Sequence, residues 1–338
     1  MKKHLLVIRL SALGDVAMTL PVIYSVAQAH PDCHFTVATR PFFARMFINR
    51  PSNVSLFEVD YKQTYKGLSG TFKLLRQLAS LKIDAVADLH NVSRSWTIDG
   101  FFKLRGIPVA IVNKERMARQ QLLKKNSSAP KQKNYVLRYV EVFQKLGFSF
   151  SLNFKSIFES ASPILPEFIK ENECKKVGIA PFARYTNKTY PIEKMQEVVA
   201  RLSEDKAYEI YLFGGKNEAP ILKKWENPNV HVLAGQFKIE DELAIMSALD
   251  VMVSMDSANM HLASLAGRKV LSMWGSTTPA CGFMGYGQDE ENALCLNLPC
   301  QPCTIAGSEK CHMGNMPCFN ELFPQLVIKK IRQLISNE

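Results

Sequence analysis

The 338 residues exceed the usual size of one domain, so two domains of roughly 150 residues each are expected. A hydrophobic fraction of 47% with 22% charged residues describes an ordinary globular chain, and no unbroken apolar run approaches about 18 residues, which excludes a membrane span. The formal charge of +11 is unevenly placed: residues 1–170 hold 25 Lys and Arg against 11 Asp and Glu, and residues 171–338 hold 17 against 20.

The opening residues superficially resemble a secretion signal, but Arg9 breaks the apolar run after four residues and no small-residue cleavage site follows. A first strand over 5–10 and a cytoplasmic protein are expected instead. A helix follows over 16–29, with Pro21 in its first turns, then strands over 34–39 and 54–59 and a helix over 71–81. A buried strand over 85–89 ends at His90. A strand over 107–112 leads into a basic loop, and an amphipathic helix over 135–146 is closed by Gly147. The stretch 151–170, with Pro163 and Pro166, reads as a linker. The second half repeats the pattern, with strands over 176–180, 209–213, 230–233, 250–254 and 269–273. Helices lie between and after them, over 192–203, 219–225, 240–248, 260–266 and 327–335. Strands alternating with helices require crossovers and therefore parallel sheets, so both halves read as α/β.

Chemistry-bearing residues collect where strands end, the edge at which open α/β sheets bind ligands. Gly14 and Asp15 lie between the first strand and the first helix. Gly14 admits close backbone approach or an unusual φ, and Asp15 is either a ligand-facing carboxylate or a helix cap. Asp256 and Ser257 precede a helix whose first N–H groups, with His261, suit phosphate oxygens; a capping pair and a half-buried histidine are the alternative. Arg184 and Lys188 follow the first strand of the second half and suit phosphate charge, although such loop cations are usually solvated. Gly214, Gly215 and Glu218 end another strand, where glycines allow a nucleoside to approach and Glu218 to accept from ribose hydroxyls. Neither a dinucleotide fingerprint nor a P-loop is present.

The segment from Lys103 to Lys133 carries nine basic residues opposed only by Glu115. It reads as a solvated loop or as a surface for an anionic partner. Cys300, Cys303, Cys311 and Cys318 follow a spacing that reads either as a tetrahedral structural zinc site or as free thiols in a reducing compartment.

Taken together, these motifs resemble glycosyltransferase family nine, the ADP-heptose:lipopolysaccharide heptosyltransferases, over nearly the whole chain. The resemblance rests on Ser11 to Asp15 with Thr19 and Pro21, on Lys188 and Pro191, and on Phe213 to Gly215 with Glu218. Asp256, Ser257, His261 and Leu262, then Trp274 to Thr277 with Pro279, and the cysteine-rich tail complete it. It implies a GT-B architecture: two facing Rossmann-like domains with parallel sheets and an interdomain cleft. These are an acceptor-binding domain over 1–160 and a nucleotide-sugar domain over 171–325, with a C-terminal helix over 326–338 expected to pack back on the first.

By the same resemblance Asp15 is the general base of an inverting transfer from an ADP-sugar, and Lys188 binds phosphate. Gly14, Arg184, Gly214, Gly215, Glu218, Asp256, Ser257, Ala258, Asn259, Met260 and His261 surround the nucleotide-sugar, and Phe237 packs on adenine. Arg116, Arg119, Lys124 and Lys125 then become cations for an anionic lipid A and core acceptor at the inner face of the cytoplasmic membrane. The resemblance requires no cofactor or metal and no nucleic acid, and leaves the oligomeric state open. Ala258 stands where heptosyltransferases usually carry Gly, and Ala183 and Arg184 where many carry hydroxyl residues. The competing readings are a UDP-sugar transferase or epimerase of GT-B type, and a non-catalytic binder of nucleotide or polyanion.

Overall fold

A computed structural model describes residues 3–124, 130–169, 172–308 and 310–336; Lys125 lies outside them. The chain divides into two compact units, Met1–Glu115 with Tyr135–Ile157, and Arg116–Asn134 with Phe158–Glu338.

In the first unit, runs of β-branched and large apolar residues form β1 (His4–Ile8), β2 (His34–Thr39), β3 (Val54–Glu58), β4 (Ala85–Asp88) and β5 (Val109–Ile111). They make one parallel sheet in the order β3-β2-β1-β4-β5, with Leu6 opposite Thr36 on one side and Val86 on the other. The second unit holds β6 (Lys175–Ala180), β7 (Tyr208–Leu212), β8 (Val230–Val232), β9 (Val251–Met255), β10 (Lys269–Met273) and β11 (Ala293–Leu294). Its order is β11-β10-β9-β6-β7-β8, again parallel throughout. Both sheets reverse their winding direction once, between β1 and β4 and between β6 and β9. Such switch points leave a crevice outside the strands' carboxyl ends.

The α/β reading therefore holds, with local departures. The helix expected over 16–29 is two, Leu13–Ala17 and Leu20–Ala29, and Pro21 sits in the first turn of the second, where a missing N–H costs nothing. A helix at Ser93–Lys103 was not expected, nor was Arg116–Leu122 inside the basic loop.

Two domain assignments also change. The closing helix, Pro324–Ser336, falls within the second unit. It buries Val327, Ile328, Ile331, Leu334 and Ile335 in one cluster with Val198, Leu202, Val253 and Leu271. The basic segment also joins the second unit, not the first. There Gln132 N–H donates to the Ala280 carbonyl at 2.9 Å, Asn134 Nδ2 donates to the Met284 carbonyl at 3.0 Å, and Lys131 pairs with Glu290. Among the described residues no helix is long and apolar enough to cross a membrane.

Candidate functional site

In the first unit the site forms where β1 and β4 end. Arg9 leaves β1 and is almost fully buried; its Nη2 lies 2.6 Å from Asp15 Oδ2 and its Nη1 donates to the Leu89 carbonyl at 2.6 Å. The guanidinium also faces the Tyr139 ring at 5.9 Å. Asp15 lies in the helix Leu13–Ala17, where its Oδ2 also accepts the Ala12 N–H at 3.2 Å; its side chain keeps 28% exposure. Asp15 is thus both a cap and a partly open carboxylate. Gly14 is an ordinary helical residue there, so its expected unusual φ is not required.

At the end of β4, Asp88 organises the next turn. Its Oδ1 accepts the His90 N–H at 2.7 Å, and its Oδ2 accepts the Ser95 hydroxyl at 2.7 Å. His90 Nε2 meets the Ser11 hydroxyl at 3.2 Å. Burial, then the charges of Arg9 and Lys114, pull the imidazole down to about 3, so His90 is neutral at physiological pH. Cations ring this edge. Lys114 Nζ donates to the Asn91 carbonyl at 3.1 Å, the Arg94 guanidinium covers the Tyr61 ring at 5.1 Å, and Arg40 is close enough to lower the Tyr61 phenol against the upward push of burial. Arg9, Arg40, His90 and Arg94 carry no expected site role from the sequence, and Lys114 enters it only as one of the nine basic residues between Lys103 and Lys133. The available signal was their position directly after strands.

In the second unit the site forms where β6 and β9 end. Lys188 closes a short 3₁₀ turn, Thr186–Lys188, and its Nζ lies 2.7 Å from Asp256 Oδ2; both side chains are largely buried. Thr277 donates to the same oxygen at 2.6 Å. Buried Asn187 fixes the turn: its Oδ1 accepts from Ser276 Oγ at 2.8 Å and Ser308 N at 2.9 Å. Gly275 must be a glycine, since a Cβ there would stand 2.6 Å from the Asn187 carbonyl oxygen. Asn187, Thr277 and Gly275 therefore position the Lys188–Asp256 pair, a role with no sequence periodicity to mark it.

Ser257 precedes the helix Ala258–Leu265, its hydroxyl 3.2 Å from that of Ser254, so the helix presents its first N–H groups directly after Asp256. Ala258 and Asn259 are half-buried at that end and His261 is buried. Met260 has a fully buried side chain, so at the start of this helix it offers a ligand its backbone rather than its side chain. Gly214 and Gly215 follow β7, and Glu218 Oε2 accepts the Gly215 N–H at 2.6 Å, so one oxygen expected for ribose holds the glycine turn. Phe237 lies against Phe168, ring centroids 5.5 Å apart, and the exposed Arg184 covers Tyr185 at 5.3 Å.

The exposed Arg116 and Lys124 and the half-buried Arg119 stand on the second unit; the Arg119 guanidinium lies 5.8 Å from the Phe283 ring. The four tail cysteines are free thiols that neighbour one another. Cys303 Sγ contacts the Cys300 carbonyl at 2.9 Å, and Cys318 is pushed up to about 12 by burial and then by Cys303, Cys311 and Cys300. Among the described residues no three His, Cys, Asp or Glu side chains gather as a metal ion requires.

Comparison with known proteins gives these positions a context. The model of glycosyltransferase family 9 (heptosyltransferase) matches residues 71–313. Lipooligosaccharide heptosyltransferase 2 of Campylobacter jejuni is 22% identical over 338 residues, covering 96% of each chain. Among solved structures, a family 9 glycosyl transferase from Veillonella parvula superposes with a TM-score of 0.75 at 17% identity, covering 100% of this chain and 99% of that one. E. coli heptosyltransferase WaaC with ADP superposes with a TM-score of 0.70 at 20% identity, covering 98% and 99%. Those structures share the fold of this chain.

Proposed function

The chain belongs to glycosyltransferase family 9, the heptosyltransferase family, and from that membership we propose that it moves a heptose from an ADP-sugar to the inner core of lipopolysaccharide, with inversion. The name of the C. jejuni relative, a lipooligosaccharide heptosyltransferase, supports the acceptor class, and the ADP of the WaaC structure supports the donor.

Asp15 takes the proton of an acceptor hydroxyl as that oxygen attacks the anomeric carbon. The carbon–oxygen bond to the diphosphate breaks, and ADP leaves. A neutral hydroxyl is a poor nucleophile, and a placed carboxylate typically contributes about 10²–10⁴-fold. Arg9 and the Ala12 N–H both hold Oδ2, which leaves Oδ1 to receive the proton. Lys188 and the N–H groups at the start of the helix Ala258–Leu265 neutralise the charge that grows on the diphosphate. The Lys188–Asp256 pair keeps the lysine oriented until the diphosphate shares it, and Asp256 then turns to sugar hydroxyls. Arg40, Arg94 and Lys114, cations at the same sheet edge as Asp15, suit an acidic acceptor, so the acceptor reading moves to them from Arg116, Arg119 and Lys124.

The observation that carries this reading is a partly open carboxylate, clamped by a buried arginine, at the switch point of a parallel sheet. The test is incubation with ADP-heptose and defined core acceptors, followed by product mass. Asp15→Asn is expected to lose about 10²–10⁴-fold in turnover while ADP binding, read by calorimetry, stays unchanged. Transfer at the normal rate by that variant refutes the assignment.

A further inference from the structure

Three successive crossovers of the first unit carry apolar side chains into solvent next to the carboxyl edge of its sheet. After β2, Phe42 is 54% exposed; after β3, Leu68 and Phe72 are 82% and 73% exposed; after β4, Trp96 is 49% exposed. Leu68 and Phe72 lie one turn apart on the helix Gly67–Ser80, which buries Gly70, Leu74 and Leu78 on its opposite stripe. A helix that merely covers a sheet puts polar residues on its outer face, and this pair departs from that pattern.

The charge of this crossover is mainly basic. From 61 to 83 the chain carries Lys62, Lys66, Lys73, Arg76 and Lys82 and no Asp or Glu. Of the acids just before this stretch, Glu58 is exposed at the end of β3 and Asp60 Oδ1 accepts the N–H groups of Lys62 and Gln63 at 2.8 and 3.2 Å. Exposed Arg94 stands in the first turn of the helix Ser93–Lys103, two positions before Trp96 and on another side of it. The helices Gly67–Ser80 and Ser93–Lys103 pack on the same side of the sheet, since Leu74, Leu78, Ile98 and Phe102 share one core cluster. Exposed rings and a leucine, set among an excess of lysines and arginines, are the composition that lies in the headgroup layer of a bilayer.

We propose that this face of the first unit, centred on Leu68 and Phe72, docks on an anionic phospholipid surface. The apolar side chains enter the acyl boundary, Trp96 sits at headgroup level, and the cations meet the lipid phosphates. The proposal extends the lipid-acceptor reading, because Tyr61 and Arg94 join the docking face to the edge that holds Asp15.

The experiment is flotation of the full chain with vesicles of phosphatidylcholine alone or with phosphatidylglycerol, read without any turnover. Binding is expected only to the anionic vesicles and to weaken with salt. Lys66→Gln with Lys73→Gln removes two charges and is expected to lower vesicle affinity roughly thirtyfold. Leu68→Ser with Phe72→Ser is expected to lower it more than about tenfold while a water-soluble, de-acylated acceptor is turned over as before. Equal binding to neutral vesicles, no binding at all, or self-association of the chain that only the Leu68 and Phe72 variant abolishes each overturns the proposal. Because ADP binding and turnover of the soluble acceptor are read separately, its failure leaves the transferase reading standing, and the converse holds too.

Discussion

At the scale of single residues the proposed reaction turns on two charged contacts, and they differ in what holds them. Lys188 and Asp256 are both largely buried, so each is the main compensation for the other's lost hydration. Lys188→Met leaves the Asp256 carboxylate with only Thr277 and is expected to cost roughly 3–5 kcal/mol in urea unfolding. Lys188→Met combined with Asp256→Leu should recover most of that loss yet stay inactive, since an apolar pair cannot meet a diphosphate. A double variant as unstable as the single one would show that the pair is not the source. Arg9 presents a different case, because a fork rather than a charge is needed to hold Asp15 and the Leu89 carbonyl together. Arg9→Lys keeps the charge but loses one of the two contacts, and a slightly misplaced carboxylate is expected to lower kcat roughly tenfold to a hundredfold. Calorimetric ADP affinity of that variant should match the parent; a parallel loss of ADP affinity would count against a local positioning role.

Secondary elements show why some of this was legible in the sequence and some was not. Strands β2 and β10 read to the residue, because β-branched and apolar runs bounded by turn residues leave little choice. The helix Ile192–Ser203 read equally well from its apolar stripe of Met195, Val198, Val199 and Leu202. The helix Ser93–Lys103 did not, because its buried stripe is Ser95, Ile98, Asp99 and Phe102, half of it polar. Apolar periodicity cannot find a face that hides a hydroxyl and a carboxyl. Asp15, Lys188 and Asp256 stood out by their place at strand ends and by the family resemblance, whereas the partners that hold them, Arg9 and the Thr277 hydroxyl, come from segments brought together only by the fold. The polar stripe has a measurable consequence. Burial, and then the neighbouring Asp88, push the Asp99 carboxyl from 3.8 up to about 8. The unfolded chain releases this proton near 3.8 and the folded one holds it to about 8, so the folded state binds more protons in that window. Stability from this group is therefore lost as pH rises from about 4 to about 8 and levels off above. Asp99→Asn should gain stability relative to the parent progressively between pH 4 and pH 8, followed as urea midpoints. A difference that does not change with pH would refute the shift.

For the whole molecule, the division into units reassigns the charge. With 116–134 in the second unit, the first holds 18 Lys and Arg against 9 Asp and Glu, and the second 24 against 22. The segment is held there by backbone and side-chain bonds to Ala280 and Met284, beside the loop after β10. Thr277 of that loop binds Asp256, and Cys281 at its end feels both Asp256 and Arg119. We therefore propose Arg119, attached to that same loop's unit, for the donor side of the reaction, although the sequence reading gave it to the acceptor. Arg94, by contrast, stands in the first unit at the edge shared by Tyr61, His90 and Asp15. A single kinetic experiment separates the two. Arg119→Ala is expected to raise KM for the ADP-sugar with acceptor KM unchanged, and Arg94→Ala to do the reverse, each by about tenfold for one lost cation–anion contact. If both variants raised acceptor KM alone, the basic segment would be an acceptor surface after all, and its attachment to the second unit would say nothing about which substrate it meets.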